Sequence, residues 1–207
     1  MEMFGNVAIN QTKWEVEALV NLCTNVTDGT HDTPERVPVG VPFITSKNIR
    51  PYEIDLTNLE FVSMETHQEI IKRCNPKSGD ILYTNIGVNV GNAVANRLGF
   101  SFSLKNVALF QLNTAKLDPY YMESLLNNPG FKESRLQFSS VGGAQKFMSL
   151  DVLREMPIPI PPLDLQERFA TVVQCYERLH SQQREASRQA ELLFQGLLAD
   201  AFNMCQY

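Results

Sequence analysis

The chain has 207 residues and a formal net charge of −5, with 43% hydrophobic and 20% charged residues. This length and composition predict a globular domain of about 150 residues plus an appendage. The acidic balance excludes a general electrostatic binder of nucleic acid or anionic membrane, because such proteins carry a basic excess, so DNA binding would require basic residues on one face or charge supplied by partners.

Metal sites and membrane spans are not expected either. The cysteines Cys23, Cys74, Cys175 and Cys205 lie far apart, and the three histidines are equally dispersed. We therefore expect reduced thiols, no metal and no cofactor. No stretch approaches the ~18 apolar residues of a membrane span, and the N-terminus has no basic region followed by an apolar one. These features predict a cytoplasmic protein without a membrane partner.

The first quarter of the chain alternates extended stretches with polar loops. Residues 1–12 have no clear period and are predicted to form an arm, whereas residues 14–20 are predicted to form a short strand or turn. The composition of residues 27–34 predicts a loop. Residues 41–49 are predicted to form a strand that ends in a polar cluster, Ser46 to Asn48.

The middle of the chain contains one predicted helix and two predicted strands. Residues 64–71 are predicted to form a short amphipathic helix with Glu65 and His67 facing solvent. Residues 76–84 read as a turn and an apolar strand, and the glycines that follow allow tight turns but lack the Lys-Ser/Thr of a nucleotide-binding loop. Residues 104–112 are predicted to form one further strand.

A capped helix and a glycine-rich loop come next. Asp118 followed by Pro119 predicts a helix start, with the helix continuing to residue 127. Residues 139–147 are predicted to form a polar loop that carries Gln145 and Lys146. An amide suits adenine and an ammonium suits phosphate or guanine, although an ordinary connecting loop is the alternative.

A proline-rich hinge leads into a long helix at the C-terminal end. Residues 156–163 contain four prolines and are predicted to be extended, in β or polyproline II conformation. Asp164, with Glu167 three residues later, is predicted as the N-cap of a helix of about 40 residues and about 60 Å. The alternative to a protruding helix is one folded back along its own domain.

Apolar and small residues, interrupted by Gln183 in the middle, recur along this helix at alternating spacings of four and three. Such a pattern predicts a coiled-coil seam that requires a partner helix, so we assign dimerisation to these residues. The seam consists of Leu165, Phe169, Val172, Tyr176, Leu179, Gln183, Ala186, Ala190, Leu193 and Leu197.

The hinge also carries a family resemblance. The run Ile158-Pro159-Ile160-Pro161-Pro162-Leu163-Asp164-Leu165-Gln166-Glu167, followed by the long helix, closely resembles the conserved region of type I restriction-modification specificity (S) subunits. Residues 79–91 and 142–147 resemble further blocks of that family, with Asn85 standing where the family commonly has Arg. Full S subunits resemble two repeats of recognition domain plus helix, so the chain would be a half-subunit or a fragment.

The resemblance implies a fold, a function and partners. It implies an α+β target recognition domain at residues 1–157, followed by the hinge and a coiled-coil helix at residues 158–207. It further implies a non-catalytic subunit that reads part of a target in double-stranded DNA and positions methyltransferase (M) and restriction (R) subunits. The seam would pair as a homodimer or with a second S-type repeat.

Polar loop residues are the candidate DNA contacts, since hydroxyl, amide and ammonium groups bind phosphates and base edges. Each of these loops could equally be an ordinary solvated loop. The candidates are Thr30, His31, Ser46, Lys47, Asn48, Thr84, Asn85, Lys105, Gln145 and Lys146.

Two other functions stay open at this point. A self-contained DNA-modifying enzyme would carry a catalytic motif, and Asn75-Pro76-Lys77 is not the Asn/Asp-Pro-Pro-aromatic motif of an adenine methyltransferase. An oligomerisation scaffold would use only the helix and would not bind DNA.

Overall fold

The structure, a computed structural model, describes the backbone of residues 2–137, 140–142 and 145–204 and the side chains of residues 3–137 and 147–198. The strands are β1 (Glu15–Ala18), β2 (Cys23–Asp28), β3 (Val41–Thr45), β4 (Ile49–Arg50), β5 (Glu53–Ile54), β6 (Glu60–Val62), β7 (Ile81–Tyr83), β8 (Ala93–Ala95), β9 (Ser103–Lys105), β10 (Ala108–Leu112), β11 (Ser140–Gly142), β12 (Gln145–Phe147) and β13 (Pro157–Ile160). The helices are α1 (Met64–Ile71), α2 (Pro119–Asn127), α3 (Pro129–Leu136), α4 (Leu150–Arg154) and α5 (Leu163–Met204).

A four-stranded antiparallel sheet, in the order β2-β10-β7-β8, separates two hydrophobic clusters. The alternation of side chains along each strand produces this division. Ile81 and Tyr83 of β7 face the larger cluster, which includes residues of α2, whereas Leu82 faces the smaller one. Strands β7, β8 and β10 are therefore buried on both faces, which explains their nearly continuous apolar sequence.

A three-stranded sheet, in the order β6-β3-β9, contributes to the smaller cluster. Strand β9 pairs in parallel with β3, whereas β10 belongs to the four-stranded sheet. The prediction of one strand at residues 104–112 is therefore wrong. Asn106, with φ of 54°, adopts the left-handed conformation between the two strands and ends the first one.

The structure confirms the two predicted internal helices. In α2, Oδ1 of Asp118 accepts hydrogen bonds from the backbone N–H groups of Tyr120 (2.8 Å) and Tyr121 (3.2 Å), so Asp118 is the N-cap. Helix α1 spans the predicted residues, but its His67 is buried, with Nδ1 2.9 Å from Oγ of Ser103. The prediction that His67 faces solvent is wrong, because β9 packs against that side of α1.

The predicted loop at residues 139–147 contains paired strands instead. Strands β11 and β12 are antiparallel, with Ser140 opposite Phe147 and Gly142 opposite Gln145. Residues 138, 139, 143 and 144 lie outside the described part of the chain. The backbone of Gln145 and Lys146 thus belongs to a β-hairpin, while their side chains are outside the described residues.

The hinge is extended, as predicted. Strand β13 pairs antiparallel with β1, and Glu15 lies opposite Ile160. Helix α5 begins at Leu163, because the carbonyl of Pro162 already accepts hydrogen bonds from the backbone N–H groups of Leu165 (3.0 Å) and Gln166 (3.2 Å). Asp164 therefore lies inside the first turn, and its prediction as the N-cap is wrong.

Helix α5 confirms the predicted long C-terminal helix. It has 42 residues, and at 1.5 Å per residue it is about 63 Å long. Its first turns pack against the domain, and residues 178–198 are all exposed. The folded-back alternative is therefore excluded for residues 178–198. Among the helices of the described residues, none contains an apolar stretch of the length that a membrane span requires.

Candidate nucleic-acid interface

The loop that follows β2 lies against the end of β9. A Cβ atom on Gly29 would lie 2.3 Å from the carbonyl oxygen of Leu104, so only glycine fits this close approach. The N–H of Thr30 donates to Leu104 O (2.9 Å), and the N–H of Asn106 donates to Thr30 O (3.2 Å). Thr30 and Lys105, which are 75 positions apart in sequence, therefore lie side by side.

The buried carboxylate of Asp28 stabilises the same loop. Asp28 is 4% exposed; one of its oxygens accepts from Nη2 of Arg73 and the other lies 2.8 Å from Nε2 of His31. The other ring nitrogen of His31, Nδ1, lies 3.0 Å from Oδ1 of Asn106. The His31 side chain is half exposed, although both ring nitrogens have partners within the chain.

Lys105 is also bound within the chain. Its Nζ donates to the carbonyl oxygen of Asp32 (2.7 Å) and to Oγ1 of Thr33. Lys105 thus fastens the tip of the loop that starts at Gly29. Its ammonium retains a third donor for an anion.

The turn after β3 presents Lys47. Oδ1 of Asn48 accepts from N (3.0 Å) and Oγ1 (3.0 Å) of Thr45, and its Nδ2 donates to the carbonyl of Asp55 (3.0 Å). Asn48 therefore closes the turn, and its polar atoms are used inside the chain. Ser46 is half-buried, whereas Lys47 is exposed and extends from the turn.

Thr84 and Asn85 lie beneath the next loop, not on its surface. Oγ1 of Thr84 donates to the carbonyl of Asn89 and accepts from the N–H of Asn92 (3.0 Å). Nδ2 of Asn85 donates to the carbonyl of Met148 (3.2 Å). Both side chains are buried, so neither is available to a duplex in this conformation.

These stretches adjoin one another. Nδ2 of Asn89 donates to the carbonyl of Ser46 (3.4 Å), and a cleft of about 220 Å³ runs between the Lys47 turn, residues 86–89 and Asn106. Ile86 pairs with Phe147 of the β11–β12 hairpin. We call the surface formed by residues 30–33, 46–48, 86–89, 105–106 and this hairpin the loop face. All ten predicted DNA-contact residues lie in it or directly beneath it.

Val88 and Asn106 belong to the loop face although neither was among the predicted contacts. The side chain of Val88 is 98% exposed at the tip of its loop, next to Gly87 at φ of 91°. An apolar side chain held in water at a polar loop suits contact with a thymine methyl group. Asn106 lines the cleft and orients His31. Its unusual backbone angle has no sequence signal beyond the tolerance of Asn for the left-handed conformation.

A lysine of α3 supports the loop face from behind. Nζ of Lys132 donates to Oδ1 of Asn92 (2.7 Å), and Nδ2 of Asn92 donates to the carbonyl of Ile49 (3.3 Å). Partial burial lowers the pKa of Lys132. The loop at residues 86–92 is thus connected to α3 and to β4.

A comparison with protein families identifies the chain. The model of the type I restriction modification DNA specificity domain matches residues 11–189. The chain belongs to this family. The resemblance in the hinge and helix is therefore confirmed, and so is the α+β fold with its long C-terminal helix.

Named relatives of this specificity-domain chain agree with the family. A putative type I restriction enzyme MjaX specificity subunit from Methanocaldococcus jannaschii is 26% identical over 172 residues, which cover 80% of this chain and 40% of the relative. The chain thus spans about 40% of the length of that relative. A single repeat of recognition domain plus helix is consistent with this coverage.

Solved structures show the same fold. The type I restriction-modification S subunit from M. genitalium has a TM-score of 0.56 at 15% identity, covering 84% of this chain and 40% of that one. A chain from work on complex assembly and conformational transition of the type I R-M system has a TM-score of 0.54 at 16% identity, covering 91% and 49%. At these identities, the likeness concerns the fold alone.

The seam of this specificity domain divides into two parts. Phe169 is buried in the domain core with its ring centroid 5.2 Å from that of Phe4, and Leu165 packs partly against the same cluster. These two residues are therefore used within the chain. The remaining eight seam residues, from Val172 to Leu197, are exposed.

Side chains that can ligate metals are dispersed over the described residues. Among them, no three His, Cys, Asp or Glu side chains come together in a group that could hold an ion. The half-exposed His31 is bound to Asp28 and Asn106, as described above, and not to a second histidine or a cysteine.

Proposed function

We propose that this chain is a non-catalytic DNA-sequence recognition component of a type I restriction-modification system and reads one half of a target in duplex DNA. The supporting observation is the loop face. Five stretches that are separate in sequence meet on one surface, and they supply hydroxyl, amide, ammonium and exposed apolar groups. These are the groups that bind phosphates and base edges. In this proposal, residues 1–157 are the recognition domain and residues 158–207 the hinge and helix.

We assign two roles within the loop face. We assign direct contact to Thr30, His31, Ser46, Lys47 and Val88, whose side chains are exposed or half-buried, and, from their position in the β11–β12 hairpin, to Gln145 and Lys146. Loop shaping falls to Asn48, Thr84 and Asn85, whose hydrogen bonds are internal, while Lys105 fastens a loop and keeps one donor for a phosphate. This division follows from burial and hydrogen bonding: a side chain that is buried, as Thr84 and Asn85 are, or whose polar atoms bond within the chain, as those of Asn48 do, contributes by fixing the groups around it.

The net charge of −5 implies that the chain holds DNA weakly on its own. In our proposal the M and R subunits surround the duplex and supply the remaining positive charge, and this chain positions them. In the complex, this chain then contributes more to discrimination between DNA sequences than to the total affinity for DNA.

We further propose that the exposed part of the seam, Val172 to Leu197, pairs with a second copy of the chain or with a second S-type repeat. Parallel copies would place each small residue against itself and leave a gap at Ala186 and Ala190. Antiparallel copies would place Ala190 against Leu179 and Ala186 against Gln183, which fills the interface better. An antiparallel pair carries its two recognition domains at opposite ends.

Selection from a random-duplex library at low salt tests the function, with the mass of the protein measured in the same buffer. The proposal predicts an enriched motif, and a palindrome with a fixed gap if the chain is a homodimer. The double variant Lys47→Glu/Val88→Asp should lose the enrichment, whereas Lys77→Glu, at the opposite end of β7 from the loop face, should keep it. No enrichment by the folded wild-type chain would contradict the proposal.

An oligomerisation scaffold is the second candidate, and one observation favours it. Apolar side chains near the end of α5 cover more of the helix than a two-helix seam requires. These exposed residues are Leu192, Leu193, Phe194, Leu197 and Leu198. A scaffold would form the same oligomer but bind no DNA at low salt. The other alternative, a self-contained DNA-modifying enzyme, has no support from the relatives, which are named specificity subunits.

A further inference from the structure

Gln166, in the first turn of α5, is fully buried and has every amide group in use. Its Nε2 donates to the carbonyls of Pro161 (2.8 Å) and Lys116 (3.1 Å), and its Oε1 accepts from the N–H of Asp118 (2.9 Å). A buried amide needs these partners, because each unpaired polar group in the interior costs about 1–3 kcal/mol. Gln166 therefore ties the long helix to the hinge and to the segment that starts α2.

The segment to which Gln166 is bound is itself fixed. Asp118 is the N-cap of α2, and the hydroxyl of Tyr121 in α2 donates to the carbonyl of Pro159 in β13 (2.7 Å). Lys116 forms an ion pair with Glu17 of β1 (2.9 Å). The first turn of α5 is thus attached to α2, β13 and β1 through one connected set of hydrogen bonds.

Contacts further along α5 hold the next turns. Phe169 lies in the core beside Phe4. Arg97, which pairs with the buried Glu123 (2.6 Å) and lies over the ring of Tyr120 (4.4 Å), also lies 3.9 Å from Glu177 of α5. Beyond Glu177 the described part of the helix is fully exposed. The direction of the free part is therefore set between Gln166 and Glu177.

We propose that Gln166 is a positioning residue that fixes the direction in which α5 leaves the recognition domain, and thereby the distance between two DNA half-sites. The inference rests on the proposed function. The helix beyond Phe169 is about 50 Å long, so a change of about 10° at its base displaces its end by about 9 Å. That displacement corresponds to between two and three base pairs.

Glutamine alone provides a donor and an acceptor of the required length. Gln166→Glu replaces the Nε2 donor by an oxygen that faces the carbonyls of Pro161 and Lys116, so both carbonyls lose their partner and the base of the helix moves. Gln174, exposed on the same helix, offers the same substitution without a buried partner. Gln174→Glu is therefore the matched control.

Selection from a random-duplex library distinguishes an effect on the helix direction, which changes the gap length, from an effect on base recognition, which changes the half-site motif. For the wild-type chain and Gln174→Glu, we expect one motif with one gap length between half-sites. For Gln166→Glu, we expect the same half-site motif with gap lengths spread over several base pairs. An unchanged single gap for Gln166→Glu would overturn the inference, whereas no motif for the wild-type chain would overturn the proposed function.

A distance measurement tests the helix direction without DNA. Spin labels at Gly99→Cys, in the domain, and Ser181→Cys, on the exposed helix, measure the distance between the domain and the helix. Cys175 and Cys205 are replaced by serine so that they carry no label. Labelled protein is diluted with unlabelled protein so that only distances within one chain are measured. We expect a narrow distribution for the wild type and a broader or shifted one for Gln166→Glu. If Gln166→Glu does not fold, Gln166→Met removes the hydrogen bonds with little change in length. An unchanged distribution in the folded variant would overturn the inference.

Discussion

His31 and Asp28 are bound to each other, with 2.8 Å between Nε2 of the imidazole and Oδ2 of the buried carboxylate. Arg73, two residues after the end of α1, donates to the other oxygen of Asp28, so one carboxylate joins the segment after α1 to the loop. His31 thus has a half-exposed side chain whose two ring nitrogens are bonded within the chain and fix the loop. A buried carboxylate with these partners is costly to disturb, since breaking one side leaves a charged group unpaired.

Asp28→Asn should therefore weaken the fold and loosen the loop at residues 29–33. We expect the free energy of unfolding to fall by roughly 2 kcal/mol, because hydrogen bonds to charged groups contribute about 1.5–3 kcal/mol. Urea denaturation measures this change. Asp32→Asn, an exposed carboxylate in the same loop, is the control and should change stability by less than about 0.5 kcal/mol. Equal losses in the two variants would contradict the role of Asp28.

Lys47→Ala should weaken DNA binding by nearly the same factor for every sequence. The ammonium extends from the loop face and is expected to bind a phosphate, so its removal should reduce the slope of log affinity against log salt by about one. Titrations at several salt concentrations, with target and random duplexes, give the affinity for each duplex and the slope of log affinity against log salt. Lys77→Ala, at the other end of β7, should leave the slope unchanged, and an unchanged slope for Lys47→Ala would exclude the phosphate contact.

Val88→Ser should relax sequence preference without a cost in stability, because the valine side chain is 98% exposed. We expect a roughly fivefold loss of affinity for the selected duplex, about 1 kcal/mol, and little change for random duplex. Competition binding measures the two affinities. Val39→Ser, 87% exposed at the opposite end of β3, is the matched control. An equal loss on both duplexes would show that Val88 does not read a base.

The thiols should differ sharply in reactivity. Burial raises the pKa of Cys74 and of Cys23 to about 12, so at pH 8 about one molecule in ten thousand carries the reactive thiolate at either position. Cys175 is exposed. In a Cys205→Ser chain, a thiol reagent should modify Cys175 quickly and the other two only after denaturation. Fast reaction of Cys74 in the folded chain would contradict the burial.

His67 should make the fold less stable in mild acid. Burial lowers its pKa from the ordinary value of 6.5, so below pH 6.5 the unfolded chain takes up a proton that the folded chain does not. Stability from this group is therefore present above pH 6.5 and falls as the pH decreases toward the lowered folded pKa. His67→Gln should flatten the dependence measured by denaturation at pH 5.0–7.5, whereas His180→Gln, exposed on α5, should not. Identical profiles for wild type and His67→Gln would contradict this.

Local signals predicted helices α1, α2 and α5 and the hinge, whereas α3 and α4 were not predicted. Ser63 and Asp118 cap α1 and α2 through their own side chains, and four prolines keep the hinge extended, so neighbouring residues suffice to define these elements. The break at Asn106 and the burial of His67 depend on β3 and β9, which are distant in sequence. The split of the seam at Phe169 likewise depends on Phe4, at the other end of the chain.

The loop face could be predicted as a set of stretches but not as a set of contacts. Polar composition marks loops whether or not their side chains are exposed, and for this reason Thr84 and Asn85 were assigned with Lys47 although both are buried. Arg73 and Val88 have no sequence signal, because an arginine after a helix and a valine in a glycine-containing loop are common. Their positions follow only from how the sheets and α1 pack together.

Amide hydrogen exchange of the folded chain, with and without its selected duplex, tests the loop face most directly. We predict slower exchange at residues 30–33, 46–48, 86–89, 105–106 and 140–147 in the presence of the duplex, and no change in the exposed part of α5. Protection confined to α5, or equal protection by a scrambled duplex at every loop, would contradict sequence recognition by this face.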